Sequence, residues 1–303
     1  MLCFQRERRI ICGRSKATAN YQEIEIYPMN GTPASRAIDK ELARSPRTPK
    51  AQQDQNAKAA NRQFRQLLIT NFTEADTHTT ATYAKEERPE TLEKVERDVN
   101  NFWRHLNTKC KAQEFPTPQG ITVIEWQEED KEKKQKEVPF HVHFILHCAL
   151  TRDEVESCWH RKGRRLGWVN SDRLQLDKCS LEALADYLLK YTNRKHRWKR
   201  TRGIKDPIKP KPNDGKYTRR QVEKIAKDPT KLHNPDYWEQ KYPGWILNEA
   251  SASYNDFTGW HISLKMRRKA ARLYAGGHWQ PWPGGTKASK RGSKKTKFGA
   301  KSK

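Results

Sequence analysis

The stretch Val138-Pro-Phe-His-Val-His-Phe-Ile-Leu-His147 alternates along its length. In an extended strand, successive side chains point to opposite faces, so His141 and His143 share one face while Phe140, Val142, Phe144 and Leu146 take the other. Two imidazoles are thereby aimed at one point. A second strand, Ile121 to Trp126, precedes it across the charged run Glu128 to Glu137, which suits a solvent-exposed hairpin loop. Antiparallel closure of that hairpin brings Glu125 beside the histidines and completes a set of two imidazoles and one carboxylate. Such a mixed nitrogen and oxygen site with open positions suits Mg²⁺, Mn²⁺ or a similar divalent ion that also binds a phosphate oxygen. Two other readings stand beside it. A His-x-His pair on a half-buried strand also arises where the rings merely face solvent, and His147, Cys148, Cys158 and His160 lie near one another as a zinc alternative, at spacings that match no common finger.

Upstream, Phe64 to Ile69 and Thr77 to Tyr83 read as strands, rich in β-branched and aromatic residues. A helix is expected from Glu90 to Thr108, where Leu92, Val95, Val99, Trp103 and Leu106 recur at helical spacing behind Pro89. The order is then strand, strand, helix, strand, strand. A second helix is expected from an N-cap at Ser180 to Lys195. Thr218 and Gln221 form a capping-box pattern, and the Trp- and Tyr-rich stretch from Tyr237 to Trp260 points to a small helical appendage.

Charge narrows the partner. With 61 Lys and Arg against 36 Asp and Glu, the formal net charge is +25, which favours polyanions and gives salt-dependent phosphate affinity. No apolar run of spanning length and no lipidation signal accompanies it, so a membrane is not expected as a partner. The six cysteines show no paired short spacing of the zinc or redox type, and reduced thiols in a cytoplasmic protein are the expectation. Residues 1–62 read as a largely flexible arm, poor in apolar periodicity from Asn30 to Arg62. Residues 63–202 form the expected enzyme domain, 203–283 a helical aromatic-rich extension, and 284–303 a disordered tail with eight Lys or Arg and no acid.

Chemistry comes from the second helix, Ala185-Asp-Tyr-Leu-Leu-Lys-Tyr-Thr-Asn-Arg-Lys195. Leu181, Leu184, Ala185 and Leu188 make an apolar stripe, and Tyr187, Lys190, Tyr191 and Arg194 line an adjoining face. A phenol with a pKa of ~10 attacks phosphate poorly at neutral pH unless a metal polarises the phosphate and cations favour phenolate. Lys190 and Arg194 are spaced for that. An amphipathic surface with aromatic rings at a core edge is the plainer alternative.

Taken together, Thr79-Thr-Ala-Thr-Tyr83, His141-Val-His143 and Tyr187-Leu-Leu-Lys-Tyr191 resemble the three motifs of the HUH endonuclease superfamily. Within it, the chain looks like the two-tyrosine rolling-circle replication initiators of single-stranded DNA phages and related plasmids. The resemblance spans Phe64 to Arg202. It implies an α+β fold: an antiparallel sheet of about five strands with helices on one side, here followed by a mainly helical C-terminal extension. It further implies a divalent metal, Mg²⁺ or Mn²⁺, held by His141, His143 and Glu125, with Asp76 or His78 as substitutes for Glu125. Tyr187 and Tyr191 would be the nucleophiles, aided by Lys190, and Arg194 and Lys195 would contact DNA. The implied activity is nicking of a single-stranded DNA origin through a 5′-phosphotyrosine, followed by strand joining, in a prokaryotic host. With no Gly-rich phosphate loop in the chain, a host or separate helicase and a polymerase are the expected partners. A transposase, a conjugative relaxase and a non-catalytic basic nucleic-acid-binding protein are the competing readings.

Overall fold

In a computed structural model, residues 3–30, 49–127, 137–176, 180–189, 198–256 and 258–269 are described. In chain order they form β1 (Cys3–Cys12), β2 (Tyr21–Asn30), α1 (Pro49–Asn71), β3 (Thr77–Thr82), α2 (Leu92–Ala112), β4 (Gln119–Gln127) and β5 (Val138–His147). There follow α3 (Arg152–Glu156), β6 (His160–Arg161), β7 (Arg164–Arg165), β8 (Val169–Arg173), α4 (Glu182–Leu189) and β9 (Lys199–Arg200). The last elements are α5 (Arg219–Ala226), α6 (Pro229–Leu232), α7 (Pro235–Lys241), β10 (Trp245–Asn255) and β11 (Gly259–Arg268).

The protein is α+β, with open antiparallel sheets. A five-stranded sheet has the order β8-β3-β5-β4-β9, and a four-stranded sheet the order β1-β2-β11-β10. The expected strands over Thr77–Tyr83, Ile121–Trp126 and Val138–Cys148 all appear, and β5 takes the centre of its sheet between β3 and β4. Its alternation sorts the two cores. Val142, Phe144 and Leu146 join Ala81 and the apolar face of α2, where Phe102 stacks on Phe144 with centroids 4.1 Å apart. Ile145, with Ile121 and Val123 of β4, instead packs against α1 and α4. Helices therefore cover both faces of this sheet, not one as expected, because α1 occupies the face that would otherwise be left to solvent.

That helix replaces the strand expected over Phe64 to Ile69. Phe64, Leu67 and Leu68 are buried at helical spacing together with Phe72 just beyond the helix, and of that segment only Ile69 is β-branched. The missing strand is made up by β8 and β9, short pieces at the two sheet edges that lack an alternating pattern long enough to read. Ser180, expected as an N-cap, stands one residue too early. It lies at φ 72°, its hydroxyl is buried without a partner, and the first helical bond runs from Ala185 N to Leu181 O.

The ends of the chain also depart from expectation. Within the span 1–62, assigned to a largely flexible arm, β1 and β2 form a hairpin and α1 begins at Pro49. Within 203–283, assigned to a helical extension, β10 and β11 form a hairpin of 11- and 10-residue strands. These two hairpins meet through β2 and β11, which set Ile24 opposite Leu264 and Ile26 opposite Ile262. The reason is period two: Ile262, Leu264 and Met266 alternate with polar residues and are buried against α5, α6 and α7, with Trp238 fully enclosed. The capping box at Thr218 and Gln221 is present with both of its bonds, 3.3 and 2.9 Å. On the opposite face, Ile10, Cys12 and Tyr21 join the cluster that includes α1 and the five-stranded sheet, so the N-terminal hairpin belongs to both cores.

No helix among the described residues is long and apolar enough to cross a membrane. The tail 284–303, the loop 128–136 and the segment 190–197 lie outside the described residues.

Leu264 is fully buried where the two hairpins join. Leu264→Ala is expected to cost about 2–5 kcal/mol of unfolding free energy in urea; a loss well under about 1 kcal/mol would show that this join is not a packed core.

Candidate metal centre and its surroundings

Antiparallel register builds the site. Glu125 of β4 stands directly opposite His141 of β5, and Thr82 of β3 flanks His141 from the other side. One pleat along the same face, His143 lies between Val123 and Thr80. One oxygen of Glu125, Oε2, accepts from both rings: Nε2 of His141 is 3.1 Å away and Nε2 of His143 2.9 Å. The donor atoms of Glu125, His141 and His143 all lie within 4.8 Å of one another. Among the described residues this is the one such group of three or more His, Cys, Asp or Glu.

The outer nitrogens are held as well. Nδ1 of His141 donates to the carbonyl of Pro139 at 2.9 Å, and since a carbonyl only accepts, Nδ1 keeps its proton and Nε2 is left for the centre. Nδ1 of His143 meets His78 Nε2 at 3.1 Å and Thr80 Oγ1 at 3.2 Å. Partners on the far nitrogen fix ring orientation and tautomer, as metal-binding imidazoles require. Burial pushes His78 down to about 4, and the neighbouring His143 adds to this against the opposing field of Asp172, so His78 meets His143 as a neutral ring.

Glu125 is buried, and burial alone would raise its pKa; the hydrogen bonds and fields of His141 and His143 outweigh that and hold the carboxyl near about 2. The same pairing, with help from Pro139, raises His141 above its ordinary value against the opposing effect of burial. A permanently ionised carboxylate flanked by two imidazoles whose ε-nitrogens converge on it fits a divalent cation: the ion would displace protons from the ε-nitrogens and take their place beside Oε2. Glu125 and His143 are nearly closed to solvent, and the His141 side chain, 22% exposed, is the open side.

Of the three carboxylate or imidazole alternatives, Glu125 is the one in place. Asp76 bonds His147 Nδ1 at 2.6 Å, and His147 lies six residues along β5 from His141, roughly 20 Å away in an extended strand. His78 sits behind His143. The zinc alternative is not assembled: His147 pairs with Asp76, His160 stacks on His105 at 4.0 Å, and Cys158 contacts Glu154 O.

Tyr187 is brought to the site. Its ring centroid lies 6.0 Å from that of His143 with the planes at 77°, and the residue is 54% exposed. The helix that carries it is tied down by Arg65 of α1, which holds Glu182 at 2.8 Å and Asp186 at 3.0 Å, and by Lys265 of β11, 2.5 Å from Glu182. Sequence reasoning missed Arg65, because reading Phe64–Ile69 as a strand hid its helical neighbours. Lys190, Tyr191, Arg194 and Lys195 lie outside the described residues.

Residues 76–196 match the family model of the replication-associated protein ORF2. The matched span starts just before β3 and runs past α4, so it contains the histidine pair, Glu125 and both tyrosines. It supports a rolling-circle replication initiator, a type of protein that is usually a nickase. No curated protein and no solved structure matches the chain significantly.

Metal binding requires loss of the Nε2 protons, and the raised His141 extends proton competition above the usual histidine range. Affinity for Mn²⁺ should therefore rise with pH, being roughly tenfold weaker at pH 6 than at pH 8 by calorimetric titration. Equal affinity at the two values would mean that the histidine pair does not hold the ion.

Proposed function

We propose that this protein is a rolling-circle replication initiator that nicks a single-stranded DNA origin and rejoins strands through a phosphotyrosine. The observation that carries the reading is the placement of Tyr187 against the Glu125, His141 and His143 cluster, inside the span that matches the replication-associated family. A nucleophile and a cation site lie together, with Tyr187 and His141 on the accessible side.

His141, His143 and Glu125 would hold Mg²⁺ or Mn²⁺, which when bound supplies a Lewis acid for a phosphate oxygen. The chain's own residues do the rest. The hydroxyl oxygen of Tyr187 attacks phosphorus and gives up its proton, the bond from phosphorus to the 3′ oxygen breaks, and that oxygen takes a proton to leave as a 3′-hydroxyl. The 5′ end stays on the tyrosine as a phosphodiester, so rejoining needs no nucleotide. Tyr191, one helical turn from Tyr187 in sequence, would serve as the second nucleophile, with Lys190 favouring phenolate and Arg194 and Lys195 contacting phosphates. The freed 3′-hydroxyl suits a polymerase, and strand separation would fall to a host or separate helicase. A charge of +25 supports retention of the strand between cleavage and joining.

Two experiments test this. Incubated with single-stranded oligonucleotides from its own replicon and Mn²⁺, the protein should form an adduct that survives denaturant. Tyr187→Phe or Tyr191→Phe alone should slow turnover and leave one cleavage event, whereas the double substitution should abolish the adduct. No adduct with wild type, and no change in His141→Ala, would end the enzymatic reading.

Arg65 positions the tyrosine helix without touching the metal cluster. Arg65→Ala should therefore lower the nicking rate by about 10- to 100-fold while Mn²⁺ affinity stays at the wild-type value. Equal loss of metal binding would mean that the substitution unfolds the site instead of misaligning the nucleophile.

A further inference from the structure

Trp168 is the most exposed large hydrophobic residue among those described, at 60%. It is not on a loose loop. Leu166 and Val169 on either side are buried, and the carbonyl of Trp168 accepts from Thr82 N at 2.9 Å and from Thr82 Oγ1 at 3.0 Å. Gly167 approaches β3 so closely that a Cβ there would lie 2.3 Å from Thr82 O. The backbone thus presents an indole to solvent in a fixed place, where its apolar surface gains nothing from the protein itself.

Register says where the indole points. β8 pairs with β3 so that Val169 stands opposite Ala81 and Asn170 opposite Thr80. The bond from Thr82 N extends this ladder by one step and sets Trp168 opposite Thr82, which is itself opposite His141. Val169 and Ala81 face the core formed with α2, so alternation assigns Trp168 to the other face, the one that carries Thr82, His141 and Glu125. Trp168, Thr82, His141 and Glu125 form one row across four strands. Two interstrand steps put Trp168 roughly 10 Å from His141, within reach of a nucleotide neighbouring a phosphate at the metal cluster.

Charge accompanies the ring. Arg165, exposed, donates through Nε to Gly167 O at 2.9 Å and so sits beside the same segment, next to the exposed Arg164. A flat exposed indole with guanidinium groups next to it is the combination that binds unpaired bases and their phosphates, stacking being tolerant of sequence and denied to paired bases.

We propose that Trp168 is a base-stacking residue that aligns the single strand across the metal-bearing face, with Arg165 holding an adjacent phosphate. The proposal rests on the reading of this site as one that acts on a single DNA strand. Stacking positions the strand, and the chemistry stays with the cluster and the tyrosines.

The test is binding by the full chain without metal, so that it does not depend on cleavage. A fluorescein-labelled single strand of mixed sequence and its duplex are titrated by anisotropy into wild type, Trp168→Ala, Trp168→Phe and Arg165→Ala. Trp168→Ala should weaken single-strand binding about tenfold and leave duplex binding unchanged, since duplex binding draws on phosphates alone. Trp168→Phe should recover most of the lost affinity, and Arg165→Ala should weaken both substrates. Unchanged single-strand affinity in Trp168→Ala, or an equal loss on both substrates, overturns the stacking role. Because the ring is exposed, unchanged thermal unfolding of the variant shows that binding and not folding is being read. A wild type that binds but never nicks would defeat the enzymatic reading and leave this result standing.

Discussion

The pairing of β4 with β5, which sets Glu125 opposite His141, is the constraint on which the rest of the molecule depends. A slip of one residue would turn every side chain of β5 over, sending the histidines into the core against α2 and Phe144 to the surface. The slip is prevented on one side by the fit of Phe144 against Phe102 and on the other by Ile145 beneath α1 and α4. Packing thus sets the chemistry, because the same alternation that fills both cores delivers two imidazoles and a carboxylate to one point.

Burying Glu125 costs desolvation, and the cost is met locally. Two imidazole donors converge on one of its oxygens, and each ring is in turn held at its far nitrogen, by Pro139 O or by His78 and Thr80. The result is a cluster whose orientation is settled before any ligand arrives. Preorganisation of this kind is what a site needs if a phosphate is to be activated without rearrangement of the protein.

The nucleophile is positioned from farther away. Tyr187 rides on a helix clamped by Arg65 from α1 and by Lys265 from β11. The strand bearing Lys265 belongs to the sheet assembled from the first and last hairpins. Segments near both ends of the described chain are thereby coupled to the tyrosine helix. The N-terminal hairpin, whose residues Ile10, Cys12 and Tyr21 enter the core shared with α1, serves as the wedge between the two sheets.

By itself the sequence determined what local periodicity can carry. It set the alternating strand with its histidine pair, the helix of Leu92, Val95, Val99 and Leu106, the capping box at Thr218, and Tyr187 beside the apolar stripe of its helix. Glu125 was legible only as a consequence of hairpin closure. Tertiary structure decided everything that depends on partners distant in the chain. It made Phe64–Leu68 the end of a helix, since short apolar runs fit either period until a neighbouring surface selects one. It drew Cys3–Asn30 into a sheet with 245–268, because strand pairing across more than two hundred residues leaves no local trace. It also chose Glu125 over Asp76, as only register separates two carboxylates that sequence offers as alternatives for the same place. Trp168 joined His141 for the same reason: interstrand distance is invisible along the chain, and the row they share exists only once β8, β3 and β5 lie side by side.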